Sequence, residues 1–239
     1  MELGTDVYEH TFERITKDLA RRYDGLFTSD EVAEIVAQGR AEMEPKSRHP
    51  EFVPILVEHY ARDLLISRAH AQGRIAKEVP EILFVCQHNE GRSQMAAALA
   101  EHLSGGRVHV RSAGLEPTGH LNPHVVDVLA EVGVTLDKAY ASTIREDVVN
   151  ASDVIVLLGV PDADASGHRT LRWDVQDPHE QPADVVRQVR DDLCGRVAAL
   201  LTDLQVPVVA PIDVAAAPVE PSRTSRLRWL PQRLAGVFG

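Results

Sequence analysis

EILFVCQHNEGRSQMA, residues 81–96, passes from an uninterrupted apolar run, through a cysteine and a polar turn with a glycine, into a segment with helical preference. Ile82, Leu83, Phe84 and Val85 read as a strand buried on both faces, because β-branched and aromatic residues follow one another without polar alternation. Gln94 to Leu103 favours a helix, so Cys86 sits at a strand-to-helix turn. Five residues separate it from Arg92 and Ser93. Successive amides of such a turn point inward as a nest, the helix dipole adds partial positive charge, and Arg92 offers a planar fork of donors. A tetrahedral oxyanion fits that description.

The same field favours the thiolate of Cys86 and marks it as a nucleophile, as for thiols at helix N-termini. Gln87, His88, Asn89, Glu90, Gly91, Arg92 and Ser93 are then the oxyanion-binding loop, with Ser93 adding a hydroxyl donor. Gly91 is expected to permit a tight turn, and Asn89 to accept a left-handed conformation and hydrogen-bond across the loop. His88 beside Cys86 makes a poor metal site, since two ligands without further partners do not hold an ion, and is read as shaping the loop. No bound cofactor or metal is expected.

Beyond residue 80, strands and helices alternate: residues 82–85, a helix over 93–103, RVHVRS, a helix from Asn122, DVIVLLG, RTLRW, and a long last helix. This is an α/β pattern, a four-stranded parallel sheet with flanking helices. Asn122 can cap a helix with Pro123 at its first position, Gly133 can end it, and Thr143 with Glu146 has capping-box spacing. Val185, Val189, Leu193, Val197, Leu200 and Leu204 form one stripe of the last helix, predicted to cover a sheet face.

Ahead of the sheet, Tyr8, Phe12, Ile15, Leu19 and Tyr23 recur at helical steps, Thr28 and Glu31 cap a second helix, and Val53, Leu56, Val57, Tyr60 and Leu64 mark a third. Residues 1–78 thus form a three-helix unit, 80–204 the α/β domain, and 205–239, rich in Pro and Ala, a mobile tail. The tail ends in Leu, Trp and Phe among arginines, a pattern suited to docking on an acidic surface. A DNA-reading helical unit is disfavoured: residues 1–78 carry 15 acidic against 11 basic side chains, net −4, and phosphate-backbone binding needs concentrated positive charge. Packing, docking or homodimerisation through these helices is the reading instead.

The 239 residues carry a formal charge of −11, which disfavours nonspecific attraction to nucleic acid or anionic lipid. Cys86 and Cys194 are the two cysteines, so neither a disulfide framework nor a zinc cluster is indicated, and the chain reads as cytoplasmic and reduced. No signal-peptide core is visible, and no run approaches the ~18 consecutive apolar residues of a membrane span. Cys194 lies within the last helix and is read as packing.

CQHNEGRSQMA, VRSAGLEP, EVGVTLDKAYASTIREDVVNASDVIVLLG and RWDVQDP together resemble the low-molecular-weight tyrosine phosphatase superfamily, which includes arsenate reductases of the same fold. The resemblance covers residues 80–204. It implies that Asp177, followed by Pro178, reaches over the cradle as a general acid beside the catalytic Cys86 and Arg92. RSQMA resembles the reductase branch. His179 and Glu180 stand where phosphatases carry paired tyrosines, and aromatic residues make up only 5% of the chain.

Arsenate reductase is therefore the leading expectation, with tyrosine phosphatase as the alternative and a non-catalytic oxyanion sensor or scaffold as a third reading. The pattern is most similar to actinobacterial reductases with a helical N-terminal extension. Thioredoxin-coupled relatives keep two further cysteines after the third strand, and GVPDADASGHRT has none. An external thiol, mycothiol with mycoredoxin or thioredoxin, is thus the implied reductant.

Overall fold

In a computed structural model, residues 3–47, 49–136, 139–160 and 169–212 are described. Three helices come first, α1 (Leu3–Arg22), α2 (Ser29–Met43) and α3 (Val53–Ala71). Thr28 caps α2: its hydroxyl accepts from the Glu31 amide at 3.2 Å, and the Glu31 carboxylate accepts from the Thr28 amide at 2.7 Å. Phe12, Ile15, Leu19, Tyr23, Val57, Tyr60 and Leu64 are buried in one cluster between these helices, as their spacing predicts.

The α/β part follows as β1 (Glu81–Cys86), α4 (Arg92–Ser104), β2 (His109–Gly114), α5 (Pro123–Ala130), α6 (Glu146–Ala151), β3 (Val154–Leu158), β4 (Arg169–Trp173) and α7 (Ala183–Asp203). The sheet order is β2-β1-β3-β4, every pair parallel, with Cys86 opposite Gly114 and Val85 opposite Leu157. Ile82, Phe84 and Cys86 face the core under α4, α5 and α7, while Leu83 and Val85 face the other side with Ile155, Leu157 and Val149. Covering both faces is why the strand reads as continuously apolar, and each buried side chain contributes about 1.5–3 kcal/mol. The chain passes from β1 outward to β2 and then crosses back past β1 to β3, so the C-terminal ends of β1 and β3 flank a switch point where such sheets bind ligands.

Three local expectations need correction. Thr143 does not cap α6; Arg145 precedes that helix in an extended conformation without a side-chain cap. The chain must first run past the end of β2, where Thr143 bridges to Gly114 and its amide donates to Glu42 at 3.1 Å. In α7 the buried residue of the first turn is Val186, with Val185 only partly covered, because the sheet sets the helix's rotation. Where a mobile tail was expected to begin, Val206 is buried and the Val209 amide donates to the Leu103 carbonyl at 2.9 Å. The rest of that tail, residues 213–239, lies outside the described residues.

A polar seam joins the helices to the sheet. Glu81, fully buried at the start of β1, pairs with His70 of α3 and with Arg111 of β2, the latter at 2.7 Å. Arg111 also donates to the Asp63 carbonyl at 3.3 Å, and the Tyr140 hydroxyl donates to the Asp63 carboxylate at 3.0 Å. Burial pushes the Asp63 carboxyl up, against the lowering effect of the Arg111 charge. Nearby, burial and then Arg111 hold His109 down to about 4. Tyr140 and Val148 pack on the helical cluster, and Arg68 pairs with Asp147 at 3.2 Å. Among the described residues no helix is long and apolar enough to cross a membrane.

Candidate active site

Cys86 ends the central strand, 2% exposed, at the floor of the loop that leads into α4. The carbonyls of Cys86, Gln87 and His88 accept from the amides of Leu115, Glu116 and Thr118, and the Glu90 carbonyl accepts from Asn122. In a planar trans peptide the next residue's N–H points opposite to the carbonyl. The amides of Gln87, His88, Asn89 and Gly91 are thereby turned away from the 115–122 segment. One of them can be seen at work: the Asn89 amide donates to Cys86 Sγ at 3.3 Å.

Asn89 is the hub of this loop. Its φ of +51° is left-handed, a conformation that asparagine accepts more readily than most residues. Its Oδ1 accepts from the Ser142 amide at 2.9 Å and from Gln94 at 3.2 Å, which leaves Nδ2 to donate to Ser93 Oγ at 2.8 Å. Ser93 Oγ lies 3.0 Å from Cys86 Sγ. Ser93 accepts from Asn89 and, with one proton and a second lone pair left, can give or take the hydrogen bond to the sulfur. The Asn89 amide and the Ser93 hydroxyl thus both lie within hydrogen-bonding reach of Sγ. Gln94 also donates to the Tyr140 carbonyl at 2.8 Å, tying the cradle to the 139–142 segment.

Arg92, the first residue of α4, is buried and donates from Nη2 to Asp177 Oδ2 at 2.7 Å. It passes over Gly159, φ +62°, where an added Cβ would sit 2.3 Å from the guanidinium. Gly91 takes the turn at φ −133° and ψ −89°, so no left-handed conformation is involved. What requires glycine is space, since a Cβ there would meet the Pro178 ring at 2.7 Å. Pro178 therefore rests on the cradle, its carbonyl accepting from Asn122 Nδ2 at 3.2 Å, and Asp177 is held against Arg92.

The side chains of the remaining loop residues take separate directions. Gln87 bonds to Glu116 at 3.1 Å, His88 lies 6.3 Å from the His179 ring, and Glu90 is buried among Thr118, His120 and His179. That Glu90 cluster and the roles of Gln94, Asn122 and Gly159 were not read from the sequence. Only Asn122 gave a signal, as a helix cap, which it is, its Oδ1 accepting from the His124 amide at 3.0 Å. Cys194 is buried in the core beneath α7, and burial pushes its thiol up, as for a packing residue. Residues 161–168, the segment where a cysteine relay was sought, lie outside the described residues. Among the described residues no group of three or more His, Cys, Asp or Glu could hold a metal ion.

The sequence profile of the low molecular weight phosphotyrosine protein phosphatases matches residues 81–209, more than half of the chain. The chain belongs to that family. Over this phosphatase-family segment it is 33% identical to arsenate reductase 1 of Staphylococcus epidermidis, across 47% of this chain and 88% of that protein. It is 29% identical to the glutaredoxin arsenate reductase of Synechocystis, across 52% of this chain and 98% of that protein. Among solved structures, the thioredoxin-dependent arsenate reductase Cg_ArsC1' of Corynebacterium glutamicum superposes with a TM-score of 0.71 and 32% identity, covering 81% of this chain and 96% of that one. The family segment alone could not supply that share, so the likeness extends into the helices before Glu81.

Proposed function

We infer that the protein is an arsenate reductase whose reducing equivalents come from an external thiol. The observation that carries this reading is the buried thiol of Cys86 on the floor of an amide-lined loop, in a segment whose relatives are named arsenate reductases. In the proposed scheme the turned-in amides and Arg92 bind the oxyanion, and the Cys86 thiolate attacks arsenic(V). Asp177 supplies the proton with which one oxygen departs as water, leaving an S–As(V) adduct.

An outside thiolate then attacks the Cys86 sulfur. The S–As electron pair passes to arsenic, which leaves as arsenite, and Cys86 remains in a mixed disulfide. A second thiol resolves that bond, carrying away a disulfide and restoring Cys86. The lack of cysteines in residues 159–170, and the place of Cys194 in the core, support an outside thiol over an internal relay. A thioredoxin-like protein and mycothiol are the two thiol classes we propose.

The test is NADPH oxidation by the purified full chain with arsenate, recycled through thioredoxin or through mycothiol and mycoredoxin, beside hydrolysis of an aryl phosphate. Arsenate-dependent turnover that Cys86→Ser abolishes is expected. Efficient hydrolysis of the aryl phosphate without arsenate turnover would replace this reading with the phosphatase one.

A further inference from the structure

Glu90 raises a problem that the proposed reaction leaves open: a carboxylate only 6% exposed stands in a loop built to receive an anion. Its surroundings resolve it. Oε2 accepts from Thr118 Oγ1 at 3.0 Å, with His120 Nε2 3.5 Å away, and Oε1 meets His179 Nδ1 at 2.7 Å. His179 is two residues beyond Asp177, and its amide donates to Asp177 Oδ1 at 3.1 Å. One residue therefore grips Glu90 with its ring and the proposed acid with its backbone. We propose that Glu90 is a positioning residue: through His179 it latches the Asp177-Pro178-His179 loop over Cys86, and release of that latch opens the sulfur to the outside thiol.

This rests on the reading of Asp177 as proton donor and adds to it how the loop is held. Among the described residues three side-chain contacts seat the loop: Arg92 on Asp177, Asn122 on the Pro178 carbonyl, and Glu90 on His179. Of these, the last has as its partner a histidine, the side-chain type whose charge changes most readily around physiological pH. The groups facing His179 are Glu90, Asp177, Glu180 at 3.9 Å and the His88 ring, while Arg92 faces Asp177 and His120 faces Glu90. The hydrogen bond to Glu90, then its charge, shift His179 toward its protonated form against desolvation, with smaller help from Glu180 and Asp177. Exposed ion pairs contribute little, but here one partner is a buried carboxylate that loses its main counter-charge when His179 moves.

A reversible hold is what the chemistry asks for. The first step needs Asp177 above the cradle, whereas the second needs a foreign thiol at a sulfur that is 2% exposed with the loop seated. Rising pH removes the His179 proton and the charge on its side of the contact. The loop then lifts more often, so positioning of the acid fails on the alkaline side.

The test compares full-length wild type with Glu90→Gln, which keeps an acceptor and the side-chain shape, and with His179→Asn. Alkylation of Cys86 by iodoacetamide, read by mass spectrometry, reports loop seating without reference to turnover. Both variants are expected to raise that rate roughly 3- to 30-fold near neutral pH, the scale of losing one charge-assisted hydrogen bond. In the wild type the rate should climb as His179 deprotonates, beyond the rise expected for the thiol itself. Glu90→Gln should lower kcat for arsenate and move its alkaline limb to lower pH, while phosphate binding by calorimetry stays equal or tightens, a negative charge having left the cradle.

Unchanged Cys86 alkylation together with an unchanged alkaline limb would overturn the latch. So would a loss confined to phosphate affinity and KM. Asp177→Asn separates the two ideas. If it leaves kcat intact while Glu90→Gln still exposes Cys86, the acid assignment fails and the latch stands; if it abolishes turnover while Glu90→Gln exposes nothing, the latch fails and the acid stands.

Discussion

Asn89→Ala should remove more stability than its position on a loop suggests. Alanine at φ +51° costs about 1–2 kcal/mol, because its Cβ crowds the backbone in the left-handed region. Loss of Oδ1 strands the Ser142 amide and part of the Gln94 side chain, and both residues are buried. Buried donors left without acceptors cost about 1–3 kcal/mol each, although Gln94 keeps the Asn89 and Tyr140 carbonyls. The total is about 3–5 kcal/mol, which for a chain of this size lowers Tm by about 6–20 °C. Asn89→Gly carries the same hydrogen-bond losses with a relaxed backbone, so it should sit about 1 kcal/mol above the alanine variant. Urea unfolding followed by circular dichroism, without oxyanion, measures all three proteins. An alanine variant within about 0.5 kcal/mol of wild type, or a glycine variant no more stable than alanine, refutes the assignment of Asn89 as the hub.

Arg92→Lys keeps a charge but not the fork that faces the cradle and Asp177, and is expected to lower kcat/KM for arsenate by about 10²–10³-fold in the coupled NADPH assay. His109, held down to about 4 by burial and then by Arg111, stays neutral in the fold while the unfolded chain takes a proton near 6.5. Its contribution is complete above about pH 6.5 and is lost as pH falls toward 4, by up to about 3 kcal/mol; His109→Gln should flatten that decline in urea titrations across the window. Cys194→Ala should cost about 1 kcal/mol in unfolding measurements and leave arsenate turnover in place, whereas a resolving thiol at this position would lose the recycling step with it.

What the sequence made legible was local. The 82–85 run, the cysteine turn and the Thr28 capping box each lie within a few residues, and local sterics and hydrogen bonding decide them. Asn89 was read correctly in both its conformation and its cross-loop bonds, since both follow from one side chain. The reason for Gly91 was not legible: it depends on a proline that arrives from 87 positions downstream. Likewise Glu90 meets His179 across 89 residues, and nothing near either one announces the pairing. The rotation of α7, with Val186 inward, follows from how the helix lies on the sheet, which periodicity fixes only to within a residue. Thr143 shows the opposite error, a spacing pattern present but unused because strand passage took precedence.

The seam of charge between α3 and the sheet has a practical consequence for anyone wishing to shorten this protein. Severing the polypeptide just ahead of Glu81 would discard His70 and Asp63, flood the Glu81 and Arg111 pair with solvent, and bare Tyr140 and Val148 as an oily scar. The phosphatase-like half would then behave as a broken surface prone to self-association, and its arsenate chemistry is best studied with the leading helices in place.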